Sequence, residues 1–125
     1  MTAPEPDLNT LETFTEPLLE LKAEEILVLD LRGIAEFADT FIICTGTSDI
    51  QVRAIADALI ARAKENGQRP LNIEGYDQRK WILIDFVDTV VHVMQCEERK
   101  FYGLERLWGD APVHEIEDES VPETT

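Results

Sequence analysis

From Lys80 to Gln95 the apolar positions follow a two-residue period. Trp81, Leu83 and Asp85 fall on one side of an extended segment, and Lys80, Ile82, Ile84 and Phe86 on the other, because successive strand side chains point to opposite faces. After a tight turn at Val87 and Asp88, residues Thr89 to Gln95 resume the alternation, with Val91 and Val93 on one face and Val90, His92 and Met94 on the other. The spacing predicts two consecutive strands. Both faces of the pair are rich in apolar groups, so the strands are central in a layered sheet or present an apolar surface to a partner. Beyond them the period changes. Glu97, Glu98, Arg99 and Lys100 are followed by Phe101, Leu104, Leu107 and Trp108 at helical spacing, and Gly109 and Pro112 close a predicted final helix.

Upstream, Leu8, Leu11, Phe14, Leu18 and Leu21 advance by three or four, a helical pattern that Pro17 interrupts. Proline inside a helix removes a hydrogen bond and clashes with the preceding turn, so a break near Thr15 and Glu16 is expected, with Pro17 in the first turn of a second segment. Ile26 to Leu31 is a short apolar run ended by Arg32 and Gly33, and Asp39 to Thr45 is another. Both read as strands. Ser48 and Gln51 have capping-box spacing, which starts a helix at Asp49. That helix is expected to reach Glu65, with Ile50, Ala54, Ala58 and Ala61 along its buried stripe, Ile55 and Leu59 widening it, and Asn66 and Gly67 ending it. Leu71 to Gly75 is a weak third strand. The order helix, strand, strand, helix, three strands, helix predicts an α/β (α+β) domain with a mixed five-stranded sheet layered with helices.

The chain's 125 residues suit one domain, able to bury roughly two thirds of its unfolded surface without disulfide or metal. The expected organisation is a disordered segment at 1–7, one domain at 8–112 and a disordered acidic tail at 113–125. The net charge of −15 is concentrated in the ends: −6 in residues 1–25, −5 in residues 113–125 and −4 between them. This balance carries no footprint for nucleic acid, whose phosphates select clustered Lys and Arg, and it suits a basic protein partner. For the tails themselves, solubility is the plainer reading. Cys44 and Cys96 stand outside any CxxC or Cys/His cluster, so free thiols in a reducing compartment are expected, not zinc ligands. No apolar run reaches the length of a membrane span, and MTAPEPDLNT lacks a basic segment followed by an apolar one. The expectation is a soluble cytoplasmic protein.

Candidate chemistry is sparse. Cys44 to Ser48 lies at a strand-to-helix junction, where backbone N–H groups can meet a phosphate, yet it lacks the spaced glycines and lysine of a P-loop; a capping turn is the plainer reading. Asp30, Asp85 and Asp88 can each offer an oxygen to a divalent ion, but no DxD or ExE spacing occurs on a strand. His92 is a lone histidine on an apolar strand, which more often hydrogen-bonds as framework or interface than acts as a base. No nucleophile is placed beside it by sequence. The aromatic residues Trp81, Phe86, Phe101, Tyr102 and Trp108 are divided between core packing and interface anchoring, since Trp and Tyr are enriched at the desolvated centre of interfaces.

The blocks ADTFIICTGTSDIQVRAIAD, IEGYDQRKWILIDFVDTVVHVM and ERKFYGLERLWGDAP resemble the ribosomal silencing factor family, also called Iojap-like or RsfS proteins, in order and spacing over residues 26–112. The resemblance implies a nucleotidyltransferase-like fold without the catalytic carboxylates, no enzyme activity and no cofactor. It further implies binding to the large ribosomal subunit through its fourteenth protein, with steric obstruction of small-subunit joining and so repression of translation. Organellar relatives act in large-subunit assembly. Carried over residue by residue, the partner-facing surface falls on Trp81, Leu83, Asp85, His92 and Met94 of the two-strand block and on Tyr102, Leu104, Glu105, Leu107 and Trp108 of the YxLExLW block. Ile82, Ile84, Phe86, Phe101, Val91 and Val93 are left as the expected core. Two departures stand out: Val87 occupies a hairpin position that commonly carries glycine in the family, and Pro17 is unusual for the first helix. A nucleotide-binding enzyme and a large-subunit assembly factor are the alternatives, and a homodimer is left open.

Overall fold

A computed structural model describes residues 11–117, so the expectations for residues 1–7, for Leu8 and for the tail beyond Glu117 lie outside the described residues. In chain order the elements are α1 (Glu12–Glu20), β1 (Glu24–Asp30), β2 (Thr40–Gly46), α2 (Asp49–Glu65), β3 (Asn72–Glu74), β4 (Trp81–Asp85), β5 (Thr89–Gln95), α3 (Cys96–Tyr102), α4 (Leu104–Leu107) and β6 (Val113–Ile116). The strands form one mixed sheet in the order β3-β4-β5-β2-β1-β6. Only the central β2/β5 pair is parallel. A parallel pair needs a long crossover, and α2 with the β3-β4 hairpin supplies it.

The α/β class is as expected, but the sheet has six strands, not five. The additional strand comes from the segment read as the start of the acidic tail: Val113–Ile116 pairs antiparallel with β1, placing Ile116 opposite Ile26 and Val113 opposite Leu29. Its VHEI alternation is enough for an edge strand when one neighbour supplies a full ladder.

Three further expectations are corrected. Pro17 does not break the first helix: α1 is continuous over Glu12–Glu20, with Pro17 inside it and buried. The helix is short, so one hydrogen bond is given up while the ring packs inward beside Phe14 and Leu18. In α2 the buried stripe is Val52, Ile55, Ala56, Leu59 and Ala63, rotated from the expected one, and Ile50 is exposed. The C-terminal stop is as read: Gly67 has φ +78°, and Gln68 N–H reaches back to the Ala63 carbonyl at 2.8 Å, closing a Schellman motif. Finally, the last helix is two. Gly103, in the left-handed region at φ +53°, ends α3 and begins α4, and this rotation leaves Phe101, expected in the core, 80 % exposed.

One face of the sheet is covered by α1 and α2. There Ile26, Val28, Ile42, Cys44, Ile82, Ile84, Val91 and Val93 pack against Phe14, Leu18, Val52, Ile55 and Leu59, with Phe86 at the edge. Gln51 ties this layer together: its Oε1 accepts from the Thr47 N–H and, at 2.7 Å, from the Thr47 hydroxyl, while its Nε2 donates to the Leu21 carbonyl at the end of α1 at 3.0 Å. The other face has a smaller core of Leu29, Leu31, Phe41, Ile43, Val90, Met94, Leu104 and Ala111. Among the described residues no long helix covers it; the loop of residues 31–39, α4 and the segment around Trp108 do. The sheet's two sides are therefore unequally protected.

Candidate partner-binding face

The thinly covered side is where most of the sequence-predicted partner residues gather. β4 and β5 pair so that Trp81 lies opposite Met94, Leu83 opposite His92 and Asp85 opposite Val90, which sets all six on one face of the sheet. Trp81 and Leu83 are partly buried against the smaller core. His92 and Met94, expected to face a partner, are instead buried, His92 at 3 % exposure, because β5 is one of the two central strands and its neighbours' side chains close over it. Leu104 is buried as well, as the α4 residue that plugs this core. Tyr102 is exposed and Leu107 is 70 % exposed, while Trp108 is partly buried beside them. The residues proposed as one contact surface thus divide into those at the surface and those beneath it.

Rings link the surface from end to end. Phe101 packs edge-on against Tyr102 at 5.0 Å, Tyr102 lies 4.8 Å from Trp81, and Trp81 lies 5.8 Å from His92. His92 in turn sits 4.6 Å from Phe41, and Phe41 meets Trp108 edge-on at 6.1 Å, with Phe37 5.8 Å from Trp108. Offset and edge-on arrangements at such distances are the favoured ones for aromatic pairs. Phe37, at 61 % exposure, and Phe101 were not expected here. Phe37 lies in a loop with no periodicity to place it, and the break at Gly103 that turns Phe101 outward leaves no mark in the helical spacing. Beside Phe101 and Tyr102, an open hollow of about 400 Å³ is walled by Lys80, Glu97 and Glu98.

Two buried polar groups underlie this face. Trp81 Nε1–H donates to His92 Nδ1 at 3.0 Å, which leaves the ring proton of the neutral imidazole on Nε2, and that nitrogen is buried without a hydrogen-bonding partner among the described residues. Burial pushes the imidazole pKa down to about 4, since the charged form would lose its water. Arg99, from the Glu-Glu-Arg-Lys run that opens the predicted final helix, is buried. It donates to the Glu25 carbonyl at the β1 bulge and to Thr45 Oγ1 at 2.9 Å, and lies 3.7 Å from Glu105. It thereby fastens α3 and α4 to the ends of β1 and β2.

The candidate catalytic groups are engaged elsewhere. Asp30 accepts from Arg32 Nε at 2.9 Å and Nη2 at 2.8 Å, and that guanidinium holds its carboxyl below the ordinary carboxylate value. Asp85 accepts from the Val87 N–H at 2.7 Å, the turn role expected of it. At the strand-to-helix junction the Ser48 hydroxyl accepts from the Gln51 N–H at 3.1 Å, a capping turn. Burial lifts the Cys44 thiol to about 12, far from a nucleophile's range. Among the described residues no three His, Cys, Asp or Glu side chains converge as a metal site, and no helix is long and apolar enough to cross a membrane.

Fold and face together describe a mixed-sheet α/β domain with one side given to an aromatic-rich surface. The family model described as "Ribosomal silencing factor during starvation" matches residues 4–125, and the chain belongs to that family. Ribosomal silencing factor RsfS of Bacillus subtilis is 49% identical over 96 residues, covering 77% of this chain and 81% of that protein. A mouse relative, named for mitochondrial assembly of the ribosomal large subunit, is 32% identical over 113 residues, covering 85% of this chain and 50% of its own length. A crystal structure from Bacillus halodurans superposes with a TM-score of 0.77 at 40% identity, covering 88% of this chain and all of that one.

Proposed function

We propose that this chain docks on the large ribosomal subunit through the fourteenth large-subunit protein and, by occupying the approach of the small subunit, blocks subunit joining and represses translation. The observation that carries this reading is the ring-linked surface between Trp81 and Trp108, with Tyr102, Leu107, Phe37 and Phe101 at its exposed positions. Large aromatic and apolar anchors of this kind dominate interface energetics. Acidity adds a long-range pull toward a basic partner. The reading is of a binding module without turnover, acting in the cytoplasm. Of the residues that the family resemblance marks, Trp81, Leu83, Tyr102, Leu107 and Trp108 are the proposed contacts, with Asp85 and Glu105 at the rim.

The test is co-sedimentation of purified variants with isolated large subunits, alongside circular dichroism. Leu107→Asp and Trp108→Ala are expected to keep the fold and lose about thirtyfold in affinity, the scale of one central anchor. Wild-type binding by both would place the interface elsewhere. A second reading, assembly of the large subunit, is favoured by the name of the mouse relative; binding to precursor particles in preference to mature subunits would select it.

A further inference from the structure

We propose that His92 is a positioning residue for this face: it holds the Trp81 indole in the orientation a partner meets, without touching the partner itself. The proposal rests on the docking reading above. Its geometry begins with the sheet. His92 lies on β5 between Leu83 of β4 and Ile43 of β2, and at 3 % exposure it is out of a partner's reach. Its one side-chain hydrogen bond among the described residues accepts the Trp81 indole N–H at 3.0 Å.

What makes a histidine at this place informative is its other nitrogen. The bond to Trp81 requires Nδ1 to be bare, so the proton sits on Nε2, and Nε2 is buried with no partner among the described residues. A leucine would leave no buried Nε2 donor but would take away the acceptor of the Trp81 indole N–H, so the unpaired Nε2 is the cost of holding that one bond. The return is an acceptor on the inner side of a partly buried tryptophan. An acceptor on that side favours the indole orientation in which Nε1–H faces His92. With that edge fixed, the ring's other contact, Tyr102 at 4.8 Å, is fixed with it. On its far side the imidazole packs at 4.6 Å on Phe41, which meets Trp108. His92 thus links the two tryptophans that bound the proposed face.

The experiment uses the full chain, isolated large subunits, and two variants. His92→Leu removes the acceptor and keeps apolar volume; His92→Asn returns a side-chain oxygen near the position of Nδ1. For each, the Trp81 indole N–H resonance, the urea midpoint and the affinity for large subunits are measured. His92→Leu is expected to move the indole resonance upfield, leave the midpoint about level because the relieved Nε2–H offsets the unpaired indole N–H, and weaken binding about tenfold, the order set by one orphaned polar group. His92→Asn is expected to restore both the resonance and the affinity even with a lower midpoint. A His92→Leu variant that binds at wild-type strength while Trp108→Ala does not would overturn the positioning role and leave the docking reading intact. The positioning role is equally overturned if His92→Leu fails to fold, or if His92→Asn binds no better than it. Absence of large-subunit binding by the wild-type chain would instead remove the docking reading and this proposal with it.

Discussion

Val87 offers the sharpest test of the backbone geometry. It is a β-branched residue at φ +81°, at the centre of a three-residue turn in which the Asp88 N–H reaches the Phe86 carbonyl at 3.2 Å. The Val87 N–H is bound to Asp85 at 2.7 Å, and the Phe86 N–H to the Thr89 carbonyl at 2.8 Å, so the strands on either side hold the turn in place. A non-glycine residue in such a region costs about 1–3 kcal/mol, and branching at Cβ sets Val87 in the upper part of that range. Val87→Gly releases this strain. Opposing it are the greater freedom of glycine in the unfolded chain, about 0.5–1 kcal/mol, and the loss of contacts by a side chain 55 % exposed and absent from both core clusters, under about 0.5 kcal/mol. The release wins, and the expected gain is about 1 kcal/mol. Urea unfolding followed by tryptophan fluorescence reads it as a midpoint raised by about 0.5 M with an unchanged slope. Val87→Ala keeps a Cβ and is expected to gain less. A midpoint that falls in Val87→Gly, or an alanine variant that equals it, would refute the strain argument.

Acid stability tests the burial of His92. Its pKa is 6.5 ordinarily and about 4 in the fold, so the unfolded chain binds the proton first: stability is level above pH 6.5 and falls between there and pH 4, by about 3 kcal/mol in all. Asp30, whose carboxyl is held low by Arg32, has the acid-side dependence of a depressed carboxylate, and its share is lost only below its ordinary 3.8. Urea midpoints at pH 7 and pH 4.5 should differ in the wild type and converge in His92→Leu; a slope that persists in the variant would assign it to another group. Arg99→Met keeps most of the stem but removes the donors to Glu25 and Thr45 and the cation beside Glu105, at a cost of about 3 kcal/mol. Adding Glu105→Gln is expected to return about 1 kcal/mol of that, and a single variant within about 0.5 kcal/mol of wild type would mean that Arg99 is no anchor.

Elements whose period is carried by large residues were legible. In β4 and β5 valine and isoleucine alternate with other side chains, and burial follows: Ile82, Ile84, Val91 and Val93 are fully inside. In α2 the apolar positions include five alanines from Ala54 to Ala63, spread around the helix, and the stripe expected through Ile50, Ala54, Ala58 and Ala61 misplaced the buried face. Val52, Ile55 and Leu59 decide it, since they alone bury enough area to orient the helix. The strand β6 was hidden for a different reason. Acidic surroundings made VHEI read as tail, whereas the pairing that orders it lies with Ile26 to Leu29, more than eighty residues earlier. Arg99 was illegible in the same way: its acceptors come from β1 and β2, and no local pattern marks a guanidinium that two distant segments will enclose.

The candidate face shows how far such local patterns reach into function. A strand apolar on both sides was open to two readings, central strand or partner surface, and burial separates β4 from β5. β5, with neighbours on both sides, has every residue from Thr89 to Met94 buried. β4, with β5 on one side but only the short, exposed β3 on the other, keeps Trp81, Leu83 and Asp85 partly accessible. Position in the sheet order therefore separates residues that alternation could only group. His92 and Met94 share a face with Trp81 and Leu83 but not an exposure, and Leu104 is divided from Leu107 by a single turn of helix. Substituting the buried members perturbs packing together with any docking, so a loss of binding at Met94 or Leu104 carries no information about contact. Leu107 and Tyr102, with little to lose in the fold, are the positions where binding and folding come apart, and any assignment of this surface has to begin from them.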